Sequence, residues 1–218
     1  GLDVVRDDFG SAEGDFFNKP FFAAEIRNEH FDNGFRVLRL HQGDGNLEPG
    51  GGIVPFKKLI SFRDALMMGQ APDEGLFMPE GIPRLAPDSI RKLREAPYAA
   101  AAMLVASAFL EAEIGPEILE KIVADSYPFD VPLERVVDGK YVMRLDQGPT
   151  ASFKDFAARM MARLMSHLRD RGKRLNVLVA TSGDTGSAVG EAFKGVAGID
   201  VCILYPEQEV SGIQKKQL

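Results

Sequence analysis

One lysine of this sequence stands where a cation is electrostatically unfavourable. The stretch GPTASFKDFAARMMARLM, residues 148–165, predicts a helix that begins near Ser152, which places Lys154 at the positive end of the helix dipole. The dipole and burial both favour the neutral amine, which is the nucleophile that a carbonyl cofactor such as pyridoxal phosphate requires. The alternative is a surface lysine whose charge is balanced by Asp155.

The rest of this helix has an ordinary structural explanation. Ser152 as N-cap, with Asp155 three residues later, fits a capping box that satisfies free N–H groups of the first turn. The apolar residues recur at helical spacing and predict one buried stripe. They are Phe156, Met160, Met161, Leu164 and Leu168. None of these features needs a lysine at the start of the helix.

A glycine-containing loop, TSGDTGSA, follows at residues 181–188. It lies between a predicted strand, LNVLVA, and a predicted helix beginning near Ala188, so its glycines allow main-chain N–H groups to face an anion. The hydroxyls of Ser182, Thr185 and Ser187 add donors. Neither GxGxxG nor GK[ST] is present, so a substrate carboxylate fits better than a nucleotide phosphate. The alternative is a well-capped strand-to-helix turn without a ligand.

The elements around these motifs predict one crevice. LNVLVA, the loop, the helix and the strand IDVCILYP together form a βαβ unit, which implies a parallel sheet with a right-handed crossover. We expect LNVLVA to be buried on both faces. Helix N-termini gather at the carboxyl edge of a parallel sheet, so the lysine and the loop can face each other. A neutral amine and an anion site in one cleft suit a pyridoxal phosphate enzyme that acts on amino acids.

The upstream residues predict further elements. SFRDALMMGQ indicates a short helix with Ser61 as N-cap and Gly69 as its end, and GLFMP indicates a strand that stops at Pro79. YAAAAMLVASAFL and GPEILEKIVADSY predict two helices, and YVMRL predicts a strand from Tyr141. The buried side of the second of these helices is expected to contain Ile118, Leu119, Ile122 and Val123.

The first part of the chain gives a weaker pattern. FFAAEIRNEHFDNGFRVLRL alternates weakly and indicates a strand or a hairpin around Asn33-Gly34, a dipeptide suited to tight turns. QGDGNLEPGGG, residues 42–52, is typical of a flexible linker. Residues 1–52 are therefore left as an unassigned extension that ends in a glycine-rich linker.

Composition excludes several classes of function. The net charge of −6 and the lack of a basic block exclude nucleic acid as the expected partner, and no apolar run is long enough to span a membrane. Cys202 is the only cysteine, which excludes an internal disulfide and favours a cytoplasmic setting. His30, His41 and His167 lack metal-ligand spacing, so no metal is expected.

The two site motifs, in this order, resemble those of the threonine synthase family. Members of that family are pyridoxal phosphate enzymes of fold type II. SFRDALMMGQAPDEGLFMPEGIPRL and FDVPLERV are similar to further segments of that family. The resemblance covers residues 53–218. It implies an α/β fold with a small mixed N-terminal domain over residues 53–140. The first part of the parallel-sheet domain that binds the cofactor then covers residues 141–218.

The resemblance also implies roles for particular residues. Lys154 matches the lysine that carries pyridoxal phosphate, and Phe153 and Asp155 are expected to support it. The serine-glycine loop is expected to hold the substrate carboxylate, and its Asp184 to border the cofactor ring. The substrate-binding residues are Ser182, Gly183, Asp184 and Thr185.

The implied reaction converts O-phospho-L-homoserine and water to L-threonine and phosphate. Which cation meets the substrate phosphate stays open among Arg144, Arg159, Lys194 and residues beyond Leu218. A related phospho-lyase that releases a keto acid would share every motif, and a serine or threonine dehydratase fits less well. A non-catalytic remnant that binds a partner or a small anion is an alternative of another class.

The sequence departs from the family pattern in several places. Gln147 stands where the family often has histidine, and Asp73-Glu74-Gly75 has one glycine where the family usually has two. The usual Ser-Thr-Arg-Gly segment is missing. The chain ends at SGIQKKQL, before the glycine-rich cradle for the cofactor phosphate, so we expect a truncated domain that binds pyridoxal phosphate poorly on its own.

Overall fold

The computed structural model describes residues 2–6, 35–38, 59–71, 76–181, 183–207 and 210–217. The strands are β1 (Leu2–Arg6), β2 (Phe35–Leu38), β3 (Leu59–Ile60), β4 (Leu76–Phe77), β5 (Leu133–Val137), β6 (Lys140–Met143), β7 (Leu175–Ala180) and β8 (Ile199–Pro206). The helices are α1 (Phe62–Met68), α2 (Pro87–Lys92), α3 (Tyr98–Ile114), α4 (Pro116–Ser126), α5 (Lys154–Leu168), α6 (Asp184–Phe193) and α7 (Gly212–Gln217).

The sheet that positions the site has the order β1-β8-β7. Strands β7 and β8 are parallel, in a register that pairs Leu175 with Ile199 and Ala180 with Leu204. Helix α6 connects them, so the predicted βαβ unit is confirmed. On the other side of β8, strand β1 is antiparallel. This strand comes from a part of the extension, before the predicted hairpin, to which the sequence assigned no element.

Strand β7 is buried on one face only. Leu178 is 60% exposed, whereas Val177 and Val179 pack against the core. The expectation of burial on both faces was therefore wrong. Residues of α5 and α6 form one core with Val177 and Val179.

The core between the sheet and its helices contains mostly small residues on the helix side. Ala158 and Ala162 of α5 meet Ala188 and Ala192 of α6, and these alanines are all at most 4% exposed. Small side chains at a contact let helix axes approach closely. Helix α6 is thereby held between α5 and the sheet, with Phe193 buried at its end.

A second core lies on the opposite side of α5. Leu164 of α5 packs with Leu119, Ile122 and Val123 of α4 and with residues of α3. The predicted buried face of α4 is confirmed for these three residues, but Ile118 is 43% exposed. The buried stripe begins at Leu119 and continues at i+3, i+4 and i+7, which leaves position 118 at its edge.

The N-terminal elements follow the predicted pattern. The Ser61 hydroxyl accepts a hydrogen bond from Asp64 N at 3.0 Å, and Gly69 ends α1 with φ of 73°. Strand β2 pairs with β3 and with β4, both antiparallel. Asn33-Gly34, the linker at 42–52 and Asp73-Glu74-Gly75 lie outside the described residues.

Strands β5 and β6 form a separate antiparallel hairpin in which every residue is exposed. The strand predicted from Tyr141 is confirmed, with its start at Lys140. The domain boundary expected between residues 140 and 141 falls inside this hairpin, and the domain division stays a prediction. Within the described ranges, no helix has the length and apolar composition needed to cross a membrane.

Candidate active site

The start of α5 and the start of α6 border one cleft of about 280 Å³. Its lining residues come from α5, from the loop after β7, from the start of α6 and from α7. They are Lys154, Thr181, Gly183, Asp184, Thr185 and Gln214. The structure thus brings Lys154 together with three of the four predicted loop residues. Ser182 lies outside the described residues.

Helix α5 begins at Lys154, two residues after Ser152, and Lys154 lies in its first turn as predicted. Phe153 precedes it with helical φ and ψ and makes no side-chain cap. The N-cap position is thus Phe153 and not Ser152, although the Ser152 hydroxyl accepts a long hydrogen bond of 3.3 Å from Lys154 N. The Phe153 ring is 62% exposed, and its centroid lies 4.6 Å from Lys154 Nζ.

Asp155 does not complete a capping box. Its Oδ2 accepts from Thr150 N at 2.9 Å and its Oδ1 accepts from the Thr150 hydroxyl at 2.7 Å. The carboxylate therefore faces the turn that precedes Ser152, because that turn folds back onto the helix. Asp155 is completely buried.

The loop motif is mostly helical. Helix α6 begins at Asp184, four residues before the predicted start at Ala188. Its first turns therefore contain most of what the sequence indicated as loop. Ser187 is 3% exposed and does not line the cleft, so its hydroxyl is not one of the predicted anion donors. Within the described chain, this hydroxyl has no hydrogen-bond partner.

Thr181 organises the start of α6. Its hydroxyl accepts from Gly183 N and from Gly186 N, both at 3.1 Å. The glycine N–H groups that were expected to face an anion are thus already occupied. Among the described residues, no acceptor lies on the N–H groups of Asp184 and Thr185, and these donors border the cleft.

Two cleft residues were missing from the sequence prediction. Thr181 carried a signal, since a hydroxyl residue just before a helix start is a common cap. Gln214 carried none, because α7 is distant in sequence. Its Oε1 accepts from Ser211 N at 3.0 Å, and its Nε2 would lie 2.8 Å from a Cβ at Gly183. Position 183 therefore needs glycine while Gln214 keeps this position.

An aromatic cluster stands behind the first turn of α5. Tyr98, Tyr127, Phe129 and Phe156 meet mostly edge to face, and the Tyr127 hydroxyl donates to Phe156 O at 3.1 Å. Burial, with a smaller contribution from Tyr98, raises the pKa of Tyr127 to about 12 against the opposing effect of Arg163. The uncharged phenol is thus strongly favoured at this position.

None of the three cations considered for the substrate phosphate lines the cleft. Arg144 bonds to Glu134 and Asp146, with the Nε to Asp146 Oδ1 distance at 2.9 Å. These two carboxylates raise the pKa of Arg144 through hydrogen bonds and charge. Arg159 donates instead to main-chain oxygens, including Ser126 O at 2.7 Å.

The cleft residues fit part of a pyridoxal phosphate site. An amine borders the cleft beside an aromatic ring, and the free N–H groups at the start of α6 suit a carboxylate. The cleft volume is near the lower limit of about 300 Å³ for ligand pockets.

Comparison with known proteins agrees with this arrangement. The family described as "Threonine synthase N terminus" matches residues 56–127. Threonine synthase of Haemophilus influenzae is 40% identical over 157 residues, which are 72% of this chain and 36% of that protein. The sequence-based resemblance is thereby confirmed.

Solved structures give the same result. Pyridoxal phosphate-bound threonine synthase from Brucella melitensis superposes with a TM-score of 0.70 at 36% identity, over 75% of this chain and 36% of that one. Yeast threonine synthase superposes with a TM-score of 0.66 at 31% identity, over 73% of this chain and 35% of that one. The α/β fold class is confirmed, and the chain spans about a third of the length of these relatives. By sequence, fold and motif order, the chain corresponds to the N-terminal portion of threonine synthases.

Proposed function

We propose that this chain contributes the cofactor lysine and the substrate-carboxylate site of a threonine synthase, which converts O-phospho-L-homoserine and water to L-threonine and phosphate. The observation that carries the proposal is that Lys154 shares one cleft with the start of α6. Two helix N-termini that converge in this way supply a nucleophile and an anion site to the same small molecule.

Lys154 is the residue that would hold pyridoxal phosphate, with Phe153 beside it. When bound, pyridoxal phosphate supplies an electron sink for reactions at the carbons of an amino acid. The Lys154 amine would accept and return protons at substrate carbons bound in this cleft.

The proposed site for the substrate carboxylate is the start of α6. The N–H groups of Asp184 and Thr185 and the Thr185 hydroxyl are the available donors, and the helix dipole favours an anion there. Gly183 contributes space, because its own N–H already bonds to Thr181. The role of Ser182 and the cytoplasmic location stay predictions.

Borohydride reduction in the presence of pyridoxal phosphate tests the proposal. We expect peptide mass spectrometry to find the cofactor at Lys154 at least about tenfold more often than at Lys173, an exposed lysine of the same chain. Lys154→Arg should abolish the preferred site and keep the labelling at Lys173. Equal labelling of both lysines in the unaltered chain would contradict the proposal.

Product analysis separates the synthase from the phospho-lyase. The chain is incubated with pyridoxal phosphate and O-phospho-L-homoserine, and products are identified by chromatography. Threonine and phosphate in equal amounts support the synthase, whereas a keto acid with phosphate identifies the lyase. Neither product, together with no preferred labelling of Lys154, would support the non-catalytic alternative.

A further inference from the structure

Asp155 is the only charged side chain that is fully buried in the part of the chain that the structure describes. It is adjacent to Lys154, yet it does not line the cleft. Burying a carboxylate is unfavourable unless hydrogen-bond donors surround it. Asp155 receives both of its donors from Thr150, one from the main chain at 2.9 Å and one from the hydroxyl at 2.7 Å.

These two bonds tie the helix to the turn that precedes it. Ala151 N donates to Gly148 O at 3.0 Å, and Ala151 has φ of 56°, in the left-handed region. An alanine keeps this conformation only where its surroundings hold it. The surroundings are tight, because a Cβ at Gly148 would lie 2.7 Å from Asp155 Cβ.

The first turn of α5 has little other support. Phe153 provides no side-chain cap, and Lys154 N has only the long contact to Ser152. The direction in which the Lys154 side chain leaves the helix therefore depends on how the turn and the carboxylate pack together. The bond pair between Thr150 and Asp155 is the strongest hydrogen-bonded link between the turn and the helix in the described chain, since hydrogen bonds to charged groups are about twice as strong as neutral ones.

We propose that Asp155 is a positioning residue, whose buried carboxylate grips Thr150 and so keeps the Lys154 amine in the cleft opposite the start of α6. The inference rests on the proposed function, because only a cofactor lysine needs to be held in the cleft. The hydrogen bonds between Thr150 and Asp155 are present without any ligand.

Chemical labelling of the lysines with formaldehyde and borohydride tests the inference without pyridoxal phosphate. Asp155→Asn replaces one carboxylate oxygen by an NH2 group and removes the charge, so both charge-assisted bonds from Thr150 are lost. Thr150→Val removes the hydroxyl donor alone. We expect the rate of methylation at Lys154, relative to exposed Lys173, to rise about tenfold in Asp155→Asn and several-fold in Thr150→Val, because local opening exposes the amine.

Matched variants and a second reagent separate the possible outcomes. Thr150→Ser keeps the hydroxyl and should restore the unaltered rate at Lys154, while circular dichroism confirms that all variants are folded. Unchanged relative rates in both Asp155→Asn and Thr150→Val would overturn the positioning role. Changed rates together with no preference of pyridoxal phosphate for Lys154 in the unaltered chain would contradict the proposed function and leave the positioning role supported.

If Asp155→Asn does not fold, the methylation rate at Lys154 in Thr150→Val alone tests the positioning role. The same variants are also labelled with pyridoxal phosphate and borohydride. A positioning role predicts that the preference for Lys154 over Lys173 falls in Thr150→Val and returns in Thr150→Ser. Retention of the full preference in folded Thr150→Val would overturn it.

Discussion

The two helix starts that border the cleft are built in different ways. At the start of α6, the Thr181 hydroxyl precedes the helix and accepts from two glycine N–H groups. At the start of α5, the stabilising group is Asp155, which lies inside the helix and reaches backward to Thr150. One start is capped by a residue outside the helix, and the other is bonded to its preceding turn by a buried carboxylate within the helix.

The difference matches what each start must present to a ligand. The Thr181 hydroxyl accepts from the N–H groups of Gly183 and Gly186. The N–H groups of Asp184 and Thr185, which lie between these glycines, have no acceptor in the described chain, as an anion site requires. At the start of α5, the buried Asp155 carboxylate instead holds the turn beside Lys154, so the group presented to the ligand is the Lys154 side chain and not a main-chain N–H. We infer that the start of α6 presents main-chain N–H groups to a ligand, whereas the start of α5 presents the Lys154 side chain.

The largest expected effect comes from filling the contact at the α5 start. Gly148→Ala would place a Cβ 2.7 Å from Asp155 Cβ, so the turn or the carboxylate must move. Overpacking together with weakened bonds to Thr150 should lower the free energy of unfolding by about 2–4 kcal/mol. Urea denaturation followed by circular dichroism measures this loss.

Gly81→Ala is the matched control, because a Cβ at Gly81 meets nothing within 4 Å. Its unfolding free energy should stay within about 0.5 kcal/mol of the unaltered chain. Equal stability of Gly148→Ala and Gly81→Ala would show that the α5 start does not depend on close packing of the turn.

The next effect tests the cap of α6. Thr181→Val keeps the shape of the side chain and removes the acceptor of Gly183 N and Gly186 N. We expect a loss of about 1–2 kcal/mol in the free energy of unfolding, and only a small loss in Thr181→Ser. If valine and serine behave alike at this position, the hydroxyl is not the cap, and the contrast between the two starts disappears.

A smaller effect concerns the aromatic support behind α5. Tyr127→Phe removes the hydrogen bond to Phe156 O and should cost about 1 kcal/mol at neutral pH. Burial raises the pKa of Tyr127 from 10.0 to about 12, so the unfolded chain loses this proton first. Stability that is present below pH 10 should therefore decline between about pH 10 and about pH 12, and this decline should be smaller in Tyr127→Phe.

Urea midpoints measured across this pH range test the assignment. Tyr141→Phe, on the exposed β5–β6 hairpin, is the control and should keep the decline of the unaltered chain. Burial also raises the pKa of Tyr98, so part of the decline is expected to persist in Tyr127→Phe. Superimposable curves for Tyr127→Phe and the unaltered chain would exclude Tyr127 as the group responsible.

The smallest effect is expected at Ser152, where the sequence predicted the cap of α5. Its hydroxyl lies 3.3 Å from Lys154 N, so Ser152→Ala should cost less than about 0.5 kcal/mol. The same denaturation experiment measures it beside Thr181→Val. A loss as large as that of Thr181→Val would restore Ser152 as the cap and make the two starts alike.

Local patterns were enough to predict most elements. Ser61 and Gly69 mark the ends of α1 because capping depends on residues that are neighbours in sequence. Strands β7 and β8 were recognisable from their apolar runs, and the order of two motifs was enough to indicate the family. Exposure was harder to predict, since Leu178 and Ile118 look like core residues and are not.

The sequence by itself determined that a lysine and a small-residue turn each stand at the start of a helix in an α/β fold. It did not determine which groups stabilise the first turns of those helices. Asp155 bonds to Thr150 because the preceding turn folds back, and Gln214 enters the cleft because α7 lies beside α6. Side-chain direction and contacts between distant segments depend on packing, which no spacing within a single helix specifies.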